Sequence, residues 1–153
     1  MNQTSVVDYL VVSDINAITK QEVINSLVTN LDEMDYLISK DVFLHDVLER
    51  EKKLPTYIGH EIGLPHNQSD GVKSSTVTIG RLAQPVQWTE DGDEVNTVIL
   101  ISVPKKNEDN LHLRILSKLA RWLMHEEFRD EVRSLGEDVL IDVLNQKVKE
   151  DLE

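Results

Sequence analysis

Apolar residues in the first third of the chain change from a strand-like to a helix-like spacing. Residues 9–12 are apolar and β-branched, which predicts a short first strand. Between residues 23 and 31 the apolar positions recur at helical spacing, directly after Thr19 and Glu22, which have the form of a capping box. Ser39 is the expected N-cap of a second helix, whose apolar stripe ends in a run of charges. The pattern therefore predicts one strand followed by two amphipathic helices.

The rest of the chain is predicted to contain further strands and then helices. Residues 76–82 alternate with a period of two, and residues 95–103 are almost all apolar at their centre, which is typical of a buried strand. Residues 90–93 are expected to form the turn between them. Helical spacing begins near Asn110 and predicts a long amphipathic helix, a second helix with Phe128, Val132 and Leu135 before Gly136, and a last helix after it. The direction of the strands stays open.

Composition agrees with one globular domain. The chain has 153 residues, 40% hydrophobic and 29% charged, so a single domain over residues 1–153 is expected. The element order predicts an α/β or α+β layered sandwich in which helices flank a mixed sheet. No stretch approaches the roughly 20 apolar residues of a membrane helix, and the N-terminus lacks a signal-peptide pattern. We expect a cytoplasmic protein with no direct membrane insertion.

Charge and cysteine content exclude several classes of function. The formal net charge of −12 opposes binding to nucleic-acid phosphates and favours basic or polar protein partners. Solubility alone also explains an acidic chain, so the charge is weak support for any particular partner. The chain contains no cysteine, which excludes disulfides, thiolate zinc sites and a cysteine nucleophile.

His66 is the most informative candidate for chemistry, because it directly follows Pro65. Proline restricts the backbone, and Gly59 and Gly63 permit turns or close approach just upstream. An oriented imidazole that can act as a nucleophile is therefore expected. Residues 67–71 have turn composition and are expected to close the segment, which would leave the histidine between secondary-structure elements.

The remaining histidines outside this segment fall into two groups. His45 and His125 lie within or near predicted helices beside acidic residues, and we interpret both as structural or surface residues. His112 opens the long helix after residues 105–110, at the end of the buried strand, where α/β proteins tend to place ligand groups. From the residues alone, a site role and a structural role both stay open for His112.

Metal and hydrolase chemistry have little support. His60, Glu61 and His66 do not form a zincin motif, because the histidines are six residues apart and the intervening Gly63 and Pro65 oppose a helix. The sequence has neither a Gly-x-Ser-x-Gly elbow nor a glycine-rich phosphate loop ending in lysine. No metal or cofactor is predicted.

Several separated segments resemble one family in order and spacing. They are Arg50 with Glu51, and residues 55–59, 62–66, 98–104 and 112–120. The chain resembles, from about residue 11 to residue 144, the enzyme IIA domains of the fructose/mannitol class (PTS EIIA type 2) of the bacterial phosphoenolpyruvate-dependent sugar phosphotransferase system.

The resemblance implies a phosphotransferase that works as a phosphohistidine carrier. His66 would accept a phosphoryl group on Nε2 from the phosphocarrier protein HPr and pass it to a IIB domain, which acts with a membrane IIC permease. A hydrogen-bond acceptor at Nδ1 of His66 is expected to select the required tautomer. His112 and Arg50 match residues that stabilise the phosphoryl group, a role for which positive donors suit an acidic chain. For Arg50, a solvated charge at a helix end stays the alternative.

The chain departs from the usual family pattern around the histidine. His60 stands where relatives often carry Asn or Glu, Glu61 where a small residue is common, and Asn67 where Gly or Thr is frequent. His60 either contacts the phosphoryl group or replaces a hydrogen-bonding side chain, and we favour the replacement. Ile62 and Leu64 are candidates for an exposed apolar surface on which HPr and the IIB domain dock, and burial of either side chain is the alternative.

Two functions remain open at this point. The first is phosphotransfer for uptake of a sugar or sugar alcohol such as fructose or mannitol, whose identity the chain does not reveal because the permease binds it. The second is a regulatory IIA-like module whose phosphorylation state controls a partner protein. Rapid transfer to a IIB domain would indicate the first function, and a stable phosphate with a state-dependent partner would indicate the second.

Overall fold

The strands and helices follow the predicted alternation in most of the chain. The computed structural model describes residues 7–106 and 110–151. The strands are β1 (Asp8–Ile15), β2 (Ile62–Gly63), β3 (His66–Ser69), β4 (Thr76–Gln87) and β5 (Glu94–Pro104). The helices are α1 (Lys20–Glu33), α2 (Lys40–Lys53), α3 (Leu111–Trp122), α4 (Glu126–Ser134) and α5 (Glu137–Asp151).

The strands form one mixed sheet. Its order is β1-β4-β5-β2, and β3 also pairs with β5. β1 runs parallel to β4, and β4 runs antiparallel to β5. β2 and β3 are both parallel to β5 and lie one after the other along the same edge. The two short strands therefore support the segment that carries His66 on both sides of Pro65.

Helices cover both faces of the sheet, as predicted. Along β5, Val98 and Leu100 pack with the buried residues of α1 and α2, whereas Ile99 and Ile101 pack with those of α3, α4 and α5. Successive side chains of a strand point to opposite faces, so a strand buried on both sides must be apolar throughout. This arrangement confirms the α/β class with a helix-flanked mixed sheet.

The predicted helix starts are also confirmed. The Thr19 hydroxyl accepts a hydrogen bond from the Glu22 amide at 3.1 Å, and the Glu22 carboxylate accepts from the backbone at Ile18 and Thr19. The Ser39 hydroxyl accepts from the Val42 amide at 3.2 Å. Each cap satisfies an amide that the first turn of a helix leaves without a partner.

The segment after His66 differs from the prediction. Residues 67–69 belong to β3 and pair with residues 102–104 of β5, so the turn begins only at Asp70, and His66 opens a strand rather than lying between elements. The edge of β5 offers backbone donors and acceptors, and pairing with them outweighs the weak strand propensity of polar residues. Of the predicted loop over residues 105–110, residues 107–109 lie outside the described residues.

None of the helices in the described residues is both long enough and apolar enough to cross a bilayer.

Candidate functional site

The backbone around His66 is held by the sheet on both sides. His66 pairs with Ile101 of β5, and the carbonyl of the preceding Pro65 accepts a hydrogen bond from the Ile101 amide at 3.0 Å. The side chain is half-buried, so the ring is supported by protein on one side and remains accessible. A histidine at a paired strand start has little backbone freedom, which suits a group that must present one ring nitrogen.

The orientation of the His66 ring is set by a backbone carbonyl. Its Nδ1 lies 2.9 Å from the carbonyl oxygen of Leu64. A carbonyl oxygen only accepts hydrogen bonds, so Nδ1 carries the hydrogen and donates it. In the neutral ring Nε2 then keeps its lone pair. The sequence predicted an acceptor at this nitrogen without identifying it, and the structure supplies the Leu64 carbonyl.

His112 lies close enough to His66 for the two rings to interact electrostatically. Burial lowers the pKa of His112 below its ordinary value of 6.5, and repulsion from His66 lowers it further. Among the residues that the structure describes, its buried Nδ1 has no hydrogen-bond partner. Burial and the neighbouring His66 therefore favour the neutral form of His112.

Arg50 lies in the last turn of α2, the helix that faces β3. Its Nη1 donates to the Leu54 carbonyl at 2.9 Å, and it forms no ion pair with any of the described residues. Asp46, one turn earlier on α2, accepts a hydrogen bond from the Ser69 hydroxyl of β3 at 2.6 Å. Residues four apart share a helix face, so Arg50 is on the side of α2 that meets β3. Its charge is not neutralised by a carboxylate.

Residues 54–65, which link α2 to β3 and include β2, form a segment that we call the strap. Three successive residues of the strap have left-handed backbone angles: Gly59 (φ 86°), His60 (φ 55°) and Glu61 (φ 63°). Asn96 donates to the Glu61 carboxylate at 3.0 Å, and Arg133 donates to the His60 carbonyl. The His60 imidazole is exposed and has no hydrogen bond to the residues that the structure describes. Only the backbone of His60 is anchored.

Of the two alternatives for Ile62 and Leu64, burial is confirmed. Their side chains are 1% and 2% exposed and belong to the buried cluster that includes Leu111, Ile115 and Leu119 of α3. Exposed apolar side chains on the elements that carry the site residues include Ile58 in the strap, Val42 on α2 and Leu113 on α3, which directly follows His112.

The sequence matches one known protein family over most of its length. The family model described as "Phosphoenolpyruvate-dependent sugar phosphotransferase system, EIIA 2" matches residues 7–147. The chain belongs to this EIIA family. It is a IIA phosphocarrier domain, and IIA domains are in general phosphotransferases.

Two curated relatives show the extent of the sequence similarity. The chain is 31% identical to the "PTS system fructose-like EIIA component" of Escherichia coli K12, over 81% of this chain and 84% of that protein. It is 33% identical to the "PTS system fructose-specific EIIABC component" of Bacillus subtilis, over 85% of this chain and 21% of that protein. The chain thus spans about a fifth of the length of this larger relative.

Solved structures share the same fold. The nitrogen regulatory protein IIA-Ntr of Neisseria meningitidis superposes with a TM-score of 0.74 at 24% identity, covering 93% of this chain and 94% of that one. Enzyme IIAMTL of Escherichia coli, solved in complex with phosphorylated enzyme IIBMTL, superposes with a TM-score of 0.69 at 23% identity, covering 86% of this chain and 90% of that one.

Proposed function

We propose that His66 is the phosphoacceptor, that it takes its phosphoryl group from HPr, and that it passes the group to a IIB domain for uptake of a sugar or sugar alcohol. The main support is the hydrogen bond from Nδ1 of His66 to the Leu64 carbonyl, which leaves the lone pair on Nε2. Membership of the EIIA family supplies the reaction class.

In the proposed step, Nε2 of His66 attacks the phosphorus of phosphorylated HPr in line with the donor nitrogen. A phosphorus–nitrogen bond forms at Nε2 while the one in HPr breaks, and the donor imidazole leaves with that bonding electron pair. No proton has to move, because Nδ1 of His66 keeps its hydrogen. The positive charge that develops on the ring is stabilised by the Leu64 carbonyl.

His112 and Arg50 are proposed to stabilise the oxygens of the transferring group. His112 is supported by its electrostatic contact with His66 and by the lack of a hydrogen-bond partner at its Nδ1 within residues 7–106 and 110–151. Arg50 is supported by its position on the face of α2 that meets β3 and by the lack of an ion pair within the described part of the chain. His60 is proposed as a secondary residue, since its exposed imidazole belongs to the strap that leads to His66.

The proposed partners are HPr, a IIB domain and a IIC permease, and the proposed location is the cytoplasm. Support for the IIB partner comes from relatives whose names join EIIA, EIIB and EIIC components, and from the solved complex of enzyme IIAMTL with phosphorylated enzyme IIBMTL. The fructose and mannitol classes are favoured as the transported compounds because of the relatives' names.

The proposal is tested by incubating the protein with phosphoenolpyruvate, enzyme I and HPr and measuring its intact mass. We expect one added phosphoryl group in the native chain, none in His66→Ala, and one in His112→Ala that forms slowly. His45→Ala is the matched control, because His45 is an exposed histidine on α2. An unphosphorylated native chain, or a phosphorylated His66→Ala, would contradict the assignment.

Addition of a IIB domain to the phosphorylated protein separates transport from the regulatory alternative. Loss of the phosphoryl mass within seconds, with its appearance on IIB, supports the transport function. A phosphate that persists on His66 in the presence of IIB indicates a module whose phosphorylation state acts on another partner.

A further inference from the structure

Glu51 is a charged residue in a position that should be apolar. It is 3% exposed and follows Val47 by one helical turn, on the face of α2 that packs into the core. A carboxylate at such a position is stable only if it is paired and hydrogen-bonded. Two features of the sequence mark Glu51: its apolar neighbours in the helix stripe, and its place beside Arg50 in a segment that resembles the EIIA family.

Two residues from different elements satisfy the Glu51 carboxylate. Lys20 of α1 places Nζ 2.8 Å from Oε1, and the Thr56 amide donates to the same oxygen at 3.2 Å. The Thr56 hydroxyl donates to Oε2. Glu51 thus ties the first residue of α1 to the strap through both of its oxygens.

Trp88, which follows β4, extends this arrangement around Lys20. Nζ of Lys20 donates to the Trp88 carbonyl at 3.1 Å and lies 4.7 Å from the centre of the indole ring. The indole also contacts the strap directly, because a Cβ added at Gly63 would lie 2.7 Å from the ring. The absence of a side chain at Gly63 lets Trp88 pack on the backbone just before Leu64.

The hydrogen bonds continue from Thr56 to the ring of His66. The Thr56 carbonyl accepts from the Leu64 amide at 2.8 Å and from Nε1 of Trp88 at 3.2 Å. The carbonyl of the same Leu64 accepts from Nδ1 of His66 at 2.9 Å. Leu64 is therefore held at its amide by Thr56 and holds His66 with its carbonyl.

We propose that Glu51 is a positioning residue for His66. Together with Lys20 it fixes Thr56, Thr56 fixes Leu64, and the Leu64 carbonyl selects the Nδ1–H tautomer of His66 and the direction of Nε2. The effect on the ring follows from these contacts alone. The effect on phosphoryl transfer rests on the function proposed above.

The test compares Glu51→Gln with Glu49→Gln. Glutamine keeps the size of Glu51, but its amide nitrogen donates and cannot accept, so the groups that donate to one of the two carboxylate oxygens lose their acceptor. Glu49 is on the same helix, is more exposed, and among the described residues forms an ion pair with Lys52 alone, which makes its substitution the matched control. Two quantities are measured: the His66 tautomer, from ring-nitrogen chemical shifts in ¹⁵N NMR at pH 8, and the rate of phosphorylation by phosphorylated HPr.

In Glu51→Gln we expect a lower fraction of the Nδ1–H tautomer and a rate reduced by roughly tenfold, since small errors in orientation are costly in group transfer. Both quantities should match the native values in Glu49→Gln. A folded Glu51→Gln protein with the native tautomer and rate would overturn the proposal and leave Glu51 a purely stabilising residue.

A second variant covers the case in which Glu51→Gln does not fold. Thr56→Val removes the hydroxyl donor to Glu51 but keeps the amide and the carbonyl that bind Glu51 and Leu64. We expect the same change of tautomer, smaller in size, and an unchanged tautomer in folded Thr56→Val would overturn the proposal. If the tautomer changes while even the native protein takes no phosphoryl group from HPr, the positioning role stands and the proposed function fails.

Discussion

The two histidines of the site differ in how the protein holds them. His66 is in a paired strand, and its Nδ1 is bound to a carbonyl that is itself held through Leu64 and Thr56. His112 is the second residue of α3, after Asn110, whose backbone is left-handed (φ 54°) and whose side chain does not cap the helix. Its buried Nδ1 has no hydrogen-bond partner in the part of the chain that the structure describes. Proximity alone therefore does not make the two rings equivalent.

The difference agrees with the separate roles proposed for them. A nucleophile must present one nitrogen with its lone pair in a fixed direction, which requires a fixed acceptor on the other nitrogen. A buried polar atom without a partner costs on the order of 1–3 kcal/mol, and native proteins keep few such atoms. An unpaired nitrogen at His112 is understandable where the ring must adapt to a group that arrives only during the reaction.

Removal of His112, the less constrained of the two histidine rings, should have the largest effect. We expect His112→Ala to slow phosphorylation by HPr about 100-fold, the usual effect of losing one donor to a developing charge. The phosphoryl group should still be attached to His66, because that ring keeps its acceptor. Quench-flow kinetics followed by peptide mapping measures both, and a native rate would remove His112 from the proposed machinery.

The next largest effect is expected on the unfolding free energy, when the backbone that holds His66 is disturbed. Gly63→Ala forces a methyl group into the Trp88 indole, and overpacking of this kind costs about 1–3 kcal/mol of unfolding free energy. Gly136→Ala is the control, since a methyl group there meets nothing within 4 Å. Urea denaturation should show the larger loss for Gly63→Ala, and equal losses would contradict the tight packing of the strap against Trp88.

Substitution of His60, one of the left-handed residues of the strap, should have a smaller effect, and it should raise the stability rather than lower it. His60 has φ 55°, and asparagine tolerates this conformation better than most residues, so His60→Asn should stabilise the protein by up to about 1 kcal/mol. Thermal unfolding measures the change. The phosphorylation rate of the same variant decides between the two roles considered for His60, because a clear fall would indicate contact with the phosphoryl group.

The pH dependence of stability should show the smallest effect. Burial, with a further contribution from His66, lowers the pKa of His112 below 6.5 in the folded protein. The stability linked to neutral His112 is fully present above pH 6.5 and is lost as the pH falls through the lowered pKa, because the unfolded chain binds the proton first. Unfolding free energies from pH 8 to pH 5 should fall more steeply for the native protein than for His112→Gln. Parallel curves would contradict the lowered pKa.

Local sequence determined the elements whose stabilising contacts are near in the chain. The capping box at Thr19 and the cap at Ser39 specify helix starts by themselves, since each cap bonds an amide three residues away. The apolar run of β5 likewise specifies a strand buried on both faces. The Pro65–His66 pair identified the candidate nucleophile for the same reason, because its constraint is covalent and local.

Only the tertiary structure decided the features that depend on distant partners. Residues 67–69 have turn composition but form β3, because the edge of β5 satisfies their backbone groups. Glu51 is buried because Lys20 and Thr56 meet it from other elements, and Leu64 faces the core while its carbonyl holds His66. These contacts join residues whose meeting depends on how helices pack on the sheet, and no spacing along the chain encodes that packing directly.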